Sequence, residues 1–594
     1  MAILWHHKLA LIILLHATLL LAQLQCPPLG PILPAPTSLT HNNNNKNSTL
    51  SQVLAAITTQ LQAYSSQLNA TGLSVGVRSI HEPAPVLSFH HTPTTFNTSG
   101  THKVDGDTVY AIGSATKLFT ALSILQLQGK INLADPITKY VPRLAQMDGS
   151  HDDPLTRVDW DSVTVDALAS HLGGIGADLT NSVIPYTPGI TDETGLPPLT
   201  RSQNSLSCSG APGTSGCSWN DFFNNFARRP PVYGPSTTPV YSNIGYALLG
   251  RVIENVTGKT YAAYLEDAVF GPADLRRTSL GAPANTSLGF IPAETNWWGT
   301  PLGYENSSGG IYSTNNDLLS FGTAILSSKL LASPAKTRAW LKPKTFTSSP
   351  GVSVGAPWEI ARGENLTADG RLIDLYTKTG NLGDYTAILA LVPDYDLVVA
   401  INLAGPDSSI AAIQVIFSTL VQALVPGVAE VGRSDAELKY AGTYTSSSSS
   451  STGSNANATS TITLSVDDYG LVVSDFVARG IDVRSPSTGY AALAGSSDNT
   501  TTTIRLYPTN LAAGNQTAWR AVYQTSSAAE LAAFDAELFF PRGSCQSWTA
   551  VDLQTYGFEA LDYFVLTADA DGVVVRVEPR AWRLVMDRTA TSGR

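Results

Sequence analysis

Near Ser434 the hydrophobic pattern of this chain changes period, which calls for two cores of different kinds. From about Leu50 to Val431, apolar helical segments alternate with short strand-like runs. Beyond that point come short alternating runs separated by turn residues, the period-2 pattern of half-buried strands. Examples are Ile462–Val466, a turn at Asp467–Gly470, and Leu471–Ser474; later come Phe564–Thr567, a turn at Asp571–Gly572, and Val573–Val577. A strand, Asp-Gly, strand order is a strong hairpin signal. At 594 residues the chain is long for one core. The expected organisation is an α/β domain over residues 51–431 and a small antiparallel β domain over 435–594, with Ser446–Ser451 as a low-complexity loop.

The N-terminus carries a different message. Lys8 precedes an apolar run from Leu9 to Ala22. That run falls short of the ~20 residues that span a bilayer but suits a signal-peptide core, so residues 1–22 are read as a signal peptide. Residues 23–50, Pro-rich and then Asn-rich at Asn42–Asn45, read as an arm or linker. No later segment reads as membrane-spanning, so a secreted, extracellular protein without a membrane anchor is expected. The net charge of −11 argues against nucleic acid as a partner. N-glycan sequons at Asn47, Asn69, Asn97, Asn255, Asn285, Asn306, Asn365, Asn457, Asn499 and Asn515 agree with export. So do four sparse cysteines, expected to pair as Cys208–Cys217 and Cys26–Cys545. With neither CxxC nor HExxH present, no metal or other cofactor is expected.

The chemistry is concentrated in Ile112-Gly-Ser-Ala-Thr-Lys117, followed by a mostly apolar helix that stops at Gly129. Ser114 lies in the first turn, and Lys117, three residues on, shares its face. A serine hydroxyl becomes nucleophilic when a neighbour takes its proton. A lysine held neutral can do so; moving it from about 10.4 to about 7 costs roughly 4 to 5 kcal/mol, which burial and a nearby cation supply. Ser-x-x-Lys alone is cheap, since it recurs at Ser333–Lys336, where Pro334 intervenes and no long apolar helix follows. The first copy has company in order: Tyr241-Ser-Asn243, then Lys378-Thr379-Gly380 leading into Asn381. A second Tyr-x-Asn, Tyr304–Asn306, overlaps a sequon.

These three motifs in this order resemble those of class C β-lactamases, DD-peptidases and their esterase relatives. Thr164–Ile175 and Gly309–Leu318 match as well, and the resemblance covers about residues 50 to 430. It implies the β-lactamase/transpeptidase-like fold: a mixed, mainly antiparallel sheet flanked by helices, with a helical lobe and Ser114 between lobes. It also implies roles. Ser114 is acylated, and Lys117 and Tyr241 transfer its proton, with the choice of base left open. Asn243 binds a substrate amide. Lys378 and Thr379 meet a substrate carboxylate, Lys378 also tuning its neighbours. The backbone N–H groups of Ser114 and Asn381, beside Gly380, form the oxyanion hole. The implied activity is hydrolysis of an ester, amide or lactam through an acyl-enzyme. A transacylase using the same acyl-serine and a non-catalytic binding protein are the rivals.

An insert between the first two motifs, about Asp178 to Arg229, carries Cys208 and Cys217 and is expected to reshape the pocket, which leaves substrate identity open. Thr567-x-Asp569-x-Asp571-Gly572 has calcium-loop spacing but leads into a strand, so it reads as a hairpin turn. His171 reads as structural.

Overall fold

The structure, a computed structural model, describes residues 27–39, 49–147, 153–179, 194–197, 208, 210, 212–295, 297–446, 459–494 and 500–589. The signal-peptide segment, the Asn-rich tract, most of the serine tract and Cys26 lie outside these residues. The chain divides into two compact units. One comprises Leu54–Gly363 with Asp374–Val421; the other comprises the described part of Met1–Val53, Glu364–Ile373 and Gln422–Arg594.

The first unit is built on an eight-stranded sheet. Its strand order is Leu87–His91, Gly72–Ser79, Leu397–Ala404, Tyr385–Val392, Ile373–Leu382, Glu359–Gly363, Val352–Val354 and Thr345–Phe346. The central pairs are antiparallel, with Val75 opposite Ile401 and Ile388 opposite both Ile401 and Thr379. Every residue of Tyr385–Val392 and Leu397–Ala404 is buried, which explains why these strands read as unbroken apolar runs. Helices cover the sheet, among them Asn315–Leu326, which Thr314 caps by accepting the Asp317 N–H.

A helical part of the same unit holds the site. Thr116–Gln126 and Asn243–Thr257 share one core with Tyr261–Leu265, and Phe119 stacks on Phe321 at 4.0 Å. Asn243–Thr257 starts where Ser242 Oγ accepts the Gly245 N–H at 3.0 Å and stops at Gly258 in the left-handed region. Lys336 of the second Ser-x-x-Lys donates its backbone N–H to Ser333 Oγ, so that serine is a helix cap.

Within the insert, Cys208 and Cys217 are bonded. Cys545 is also in a disulfide, and its expected partner Cys26 lies outside the described residues. Ser218 and Asp221 form a capping box that starts the helix Trp219–Asn225, whose Phe222 is buried. Of the sequons, Asn69, Asn255, Asn285, Asn365 and Asn515 are exposed, but Asn255 and Asn515 donate their amides to Tyr140 O at 3.0 Å and Ala568 O at 2.7 Å.

The second unit contains a closed eight-stranded barrel. Its order is Ser460–Asp467, Gly442–Ser446, Met586–Arg588, Val574–Pro579, Tyr563–Ala568, Gln516–Gln524, Thr503–Ala513 and Gly470–Ala478, which returns to Ser460–Asp467. Tyr444, Ile462, Val473, Leu506, Trp519, Phe564 and Met586 fill it, and Leu33 of the N-terminal segment packs on that core. Closure removes the sheet edges that would otherwise pair with other chains. Asp569 Oδ1 accepts the N–H groups of Asp571 and Val573, so the calcium-like sequence forms a turn that holds itself.

Between the last sheet strand and the barrel runs a 31-residue helix, Ile410–Tyr440. It is long and apolar enough to cross a membrane by length and composition. Its buried residues Ile413, Phe417, Leu420, Leu424, Val428 and Val431 recur every three to four positions, the stripe of a helix packed along one side.

Candidate active site

Ser114 sits in a short 3-10 turn, Gly113–Ala115, that leads straight into the helix Thr116–Gln126. Gly113 has φ +49°, and a Cβ on it would stand 2.7 Å from the backbone of Asn381. A Cβ on Gly380 would stand 2.0 Å from Ile112 O and 2.7 Å from Ser114 N. The turn and the strand Ile373–Leu382 therefore meet backbone to backbone, and only glycine fits on either side of the contact.

Lys117 is fully buried. Its Nζ lies 3.0 Å from Ser114 Oγ, 2.6 Å from Asn243 Oδ1 and 2.8 Å from Ser308 O. The Asn243 amide is oriented by Asp178, whose carboxylate accepts from Nδ2 at 2.8 Å. A carboxylate and a carbonyl only accept, so Oδ1 must face Lys117. Two acceptors thus hold two N–H bonds of Lys117. In neutral Lys117 the lone pair is left for Ser114.

Tyr241 lies above this group and is 41% exposed. The ammoniums of Lys117 and Lys378 stand 4.9 and 5.2 Å from its ring centroid. His171 stacks on it at 4.5 Å and accepts the Ser242 N–H through Nδ1 at 3.2 Å. Nε2 therefore carries the ring proton, buried without a partner. Burial, with Lys117 and Lys378 adding to it, keeps His171 well below its ordinary value and hence neutral. The geometry gives it a scaffolding place under Tyr241.

Lys378 is buried and bonded to Glu359, and its Nζ also donates to Thr379 O at 2.8 Å. Glu359 Oε2 accepts from Thr379 N at 3.0 Å and from its hydroxyl at 2.8 Å. Burial alone would lower Lys378, but Glu359, with Tyr241 adding to it, more than offsets this and keeps it protonated. For Lys117, burial pushes the ammonium below its ordinary value; Tyr241 resists and Lys378 assists. The Tyr241 hydroxyl is also held below its ordinary value, because Lys117 and Lys378 outweigh the upward push of burial. Cations are buried while Ser114, Tyr241 and Asn381 reach the surface. All eight residues singled out in the sequence fall within this one constellation.

A family model described as beta-lactamase matches residues 92–418, more than half of the chain. The chain belongs to the beta-lactamase family. This is a family of hydrolases acting on small-molecule amides, esters or lactams. A second model, a C-terminal domain of beta-lactamase-like proteins, matches residues 432–590. A beta-lactamase-like protein of Arthroderma benhamiae is 31% identical over 580 residues, covering 93% of this chain and 94% of that protein. A probable hydrolase, M10, of a Phoma species is 27% identical, covering 77% of this chain and 73% of the relative. Among solved structures, a class C beta-lactamase is 18% identical with a TM-score of 0.46, covering 64% of this chain and 97% of that one.

Several groups at this beta-lactamase site are not visible in the sequence motifs. Glu359 faces Lys378 from the neighbouring strand, and Asp178 orients Asn243 from the start of the insert. The insert's other end returns there, with Arg229 Nη1 donating to Asp178 O. Behind them lies Glu305, which accepts from Tyr304 Oη at 2.8 Å. Burial and the charge of Asp178 push its carboxyl up to about 7. In the unfolded chain this group ionises near 4.3, so between about 4.3 and 7 the folded state keeps a proton the unfolded state has lost. Stability therefore falls as pH rises through that window. Glu305→Gln is expected to raise the apparent melting temperature at pH 8, an effect of up to about 4 kcal/mol that shrinks to nearly nothing near pH 4. Thermal scans of both proteins at the two pH values check this; an equal difference at both would remove the titration from the explanation.

Proposed function

We propose that this chain is a secreted serine hydrolase that cleaves an ester, amide or lactam through an acyl-Ser114 intermediate. The observation that carries the reading is Lys117 Nζ, held by Asn243 Oδ1 and Ser308 O with Ser114 Oγ at 3.0 Å. In the first step Ser114 Oγ bonds to the substrate carbonyl carbon, and its proton passes to the Lys117–Tyr241 pair. The backbone N–H groups of Ser114 and Asn381 receive the oxyanion; each such donor contributes roughly 3 to 4 kcal/mol. The carbonyl reforms, the leaving group departs with the proton, and water then attacks the acyl carbon with Tyr241 accepting its proton. The acid product leaves and Ser114 recovers its hydrogen. Asn243, Lys378 and Thr379 bind substrate beside the reacting carbonyl. The disulfides and the exposed sequons Asn69 and Asn285 support export and glycosylation.

A panel of p-nitrophenyl esters, a chromogenic cephalosporin and D-amino-acid amides tests the reading. At least one class is expected to be hydrolysed, with the activity lost in Ser114→Ala. Transfer to an added alcohol in preference to water would make the protein a transacylase. Turnover of none, with no acylation, would leave a binding protein.

Glu359 sharpens the electrostatics. Lys378→Ala removes a cation that disfavours protonated Lys117, so the apparent pKa for acylation should rise, by about one unit. Glu359→Gln removes the carboxylate that keeps buried Lys378 protonated, so it should raise the apparent pKa in the same direction. The value belongs to the coupled Lys117–Tyr241 set. Pre-steady-state pH–rate profiles of both variants are the measurement. A uniform slowing at every pH in both would confine Lys378 and Glu359 to substrate placement.

A further inference from the structure

A cavity in the catalytic unit lies along the C-terminal half of the nucleophile helix, and none of the residues of the Ser114 site lines it. Ala121, Ile124 and Leu125 of that helix form one wall, and Leu133, Leu331 and Trp340 form others. Its volume is about 170 Å³. An apolar cavity of roughly 150 Å³ admits a benzene ring, so this one holds a single six-membered ring with a short link.

The lining is apolar but the mouth is not. Lys336, Lys344 and Asp166 stand there. Lys344 Nζ pairs with Asp166 at 2.9 Å, while Lys336 makes no ion pair among the described residues. Two ammoniums against one carboxylate leave the mouth cationic. The second Ser-x-x-Lys motif thereby acquires a use: Ser333 caps the helix Pro334–Trp340, whose first turn places Lys336 at the opening.

We infer that this cavity is a binding site for a small arylalkyl monocarboxylate, its ring against Ala121, Ile124 and Trp340 and its carboxylate on Lys336. The site is independent of the acyl-enzyme reading but touches the same machinery. Ala169, on its wall, accepts the Tyr246 hydroxyl through its carbonyl, and the Tyr246 ring lies 5.6 Å from Lys117 Nζ. Ala356, also on the wall, accepts from Trp340 Nε1 and lies three residues before Glu359.

Calorimetric or saturation-transfer NMR titration of the full chain with phenylacetate tests the inference, using Ser114→Ala protein so that no acyl chemistry intervenes. Saturable binding is expected, with neutral phenylacetamide about tenfold weaker, the difference a charge-assisted hydrogen bond makes. Lys336→Ala should weaken phenylacetate about tenfold and erase its advantage over the amide. Ala339→Phe, at an exposed position on the cavity wall, should abolish binding of both. Both substituted side chains lie on the surface, so the fold is retained, and circular dichroism checks that. No saturation by about 10 mM, which corresponds to only a few kcal/mol, would overturn the inference. So would equal affinities for acid and amide, or binding that survives Ala339→Phe.

Discussion

Lys117→Arg should lower the acylation rate by about three orders of magnitude while leaving the fold intact, within the 10²–10⁴ span typical of a lost general base. Arginine keeps the charge and most of the stem, and it can still donate to Asn243 Oδ1 and Ser308 O. It cannot become neutral, since its pKa exceeds about 12, so no lone pair is offered to Ser114 Oγ. Lys117→Ala should be at least as slow but is harder to interpret. It leaves a cavity at a fully buried position and strips two buried acceptors of their donor. The arginine variant thus isolates proton transfer from packing. The measurement is the single-turnover rate with an activated ester, alongside circular dichroism. In the wild type that rate should rise with pH through an apparent pKa well below that of free lysine, because burial and Lys378 both disfavour the ammonium. An arginine variant that acylates within a few-fold of wild type would show that Lys117 acts as a fixed charge.

What could be read from the sequence is what local geometry fixes. Ser114 and Lys117 share a helix face by spacing alone. The sequence motif makes Gly380 stand out, and the structure supplies the reason: a side chain there would collide with Ile112 O. The hairpins of the second unit were legible because each turn lies between its strands. Its closure into a barrel was not, because Gly442–Ser446 pairs with Met586–Arg588 from the other end of the domain. The same limit hid Glu359. It faces Lys378 across neighbouring strands, and no spacing rule links an acid at the start of one strand to a lysine within the next. Asp178 was passed over as the start of an insert, although it fixes the amide that receives Lys117. The aromatic support under Tyr241, from His171 and Tyr246, has no periodic signature either.

Everything the site does depends on its nucleophile. Ser114→Ala removes only one oxygen from a site whose Lys117, Asn243 and Ser308 contacts remain, so the fold should hold. Steady-state hydrolysis should fall by at least about a thousandfold, the covalent route being closed. The most direct measurement is mass spectrometry of protein treated with a fluorophosphonate probe. In wild type, one equivalent of adduct is predicted on the peptide carrying Ser114, formed faster as pH rises. Ser114→Ala is predicted to take up none. Full-level labelling of the variant would place the reactive serine elsewhere, and an unlabelled wild type that folds normally would contradict the acyl-enzyme mechanism itself.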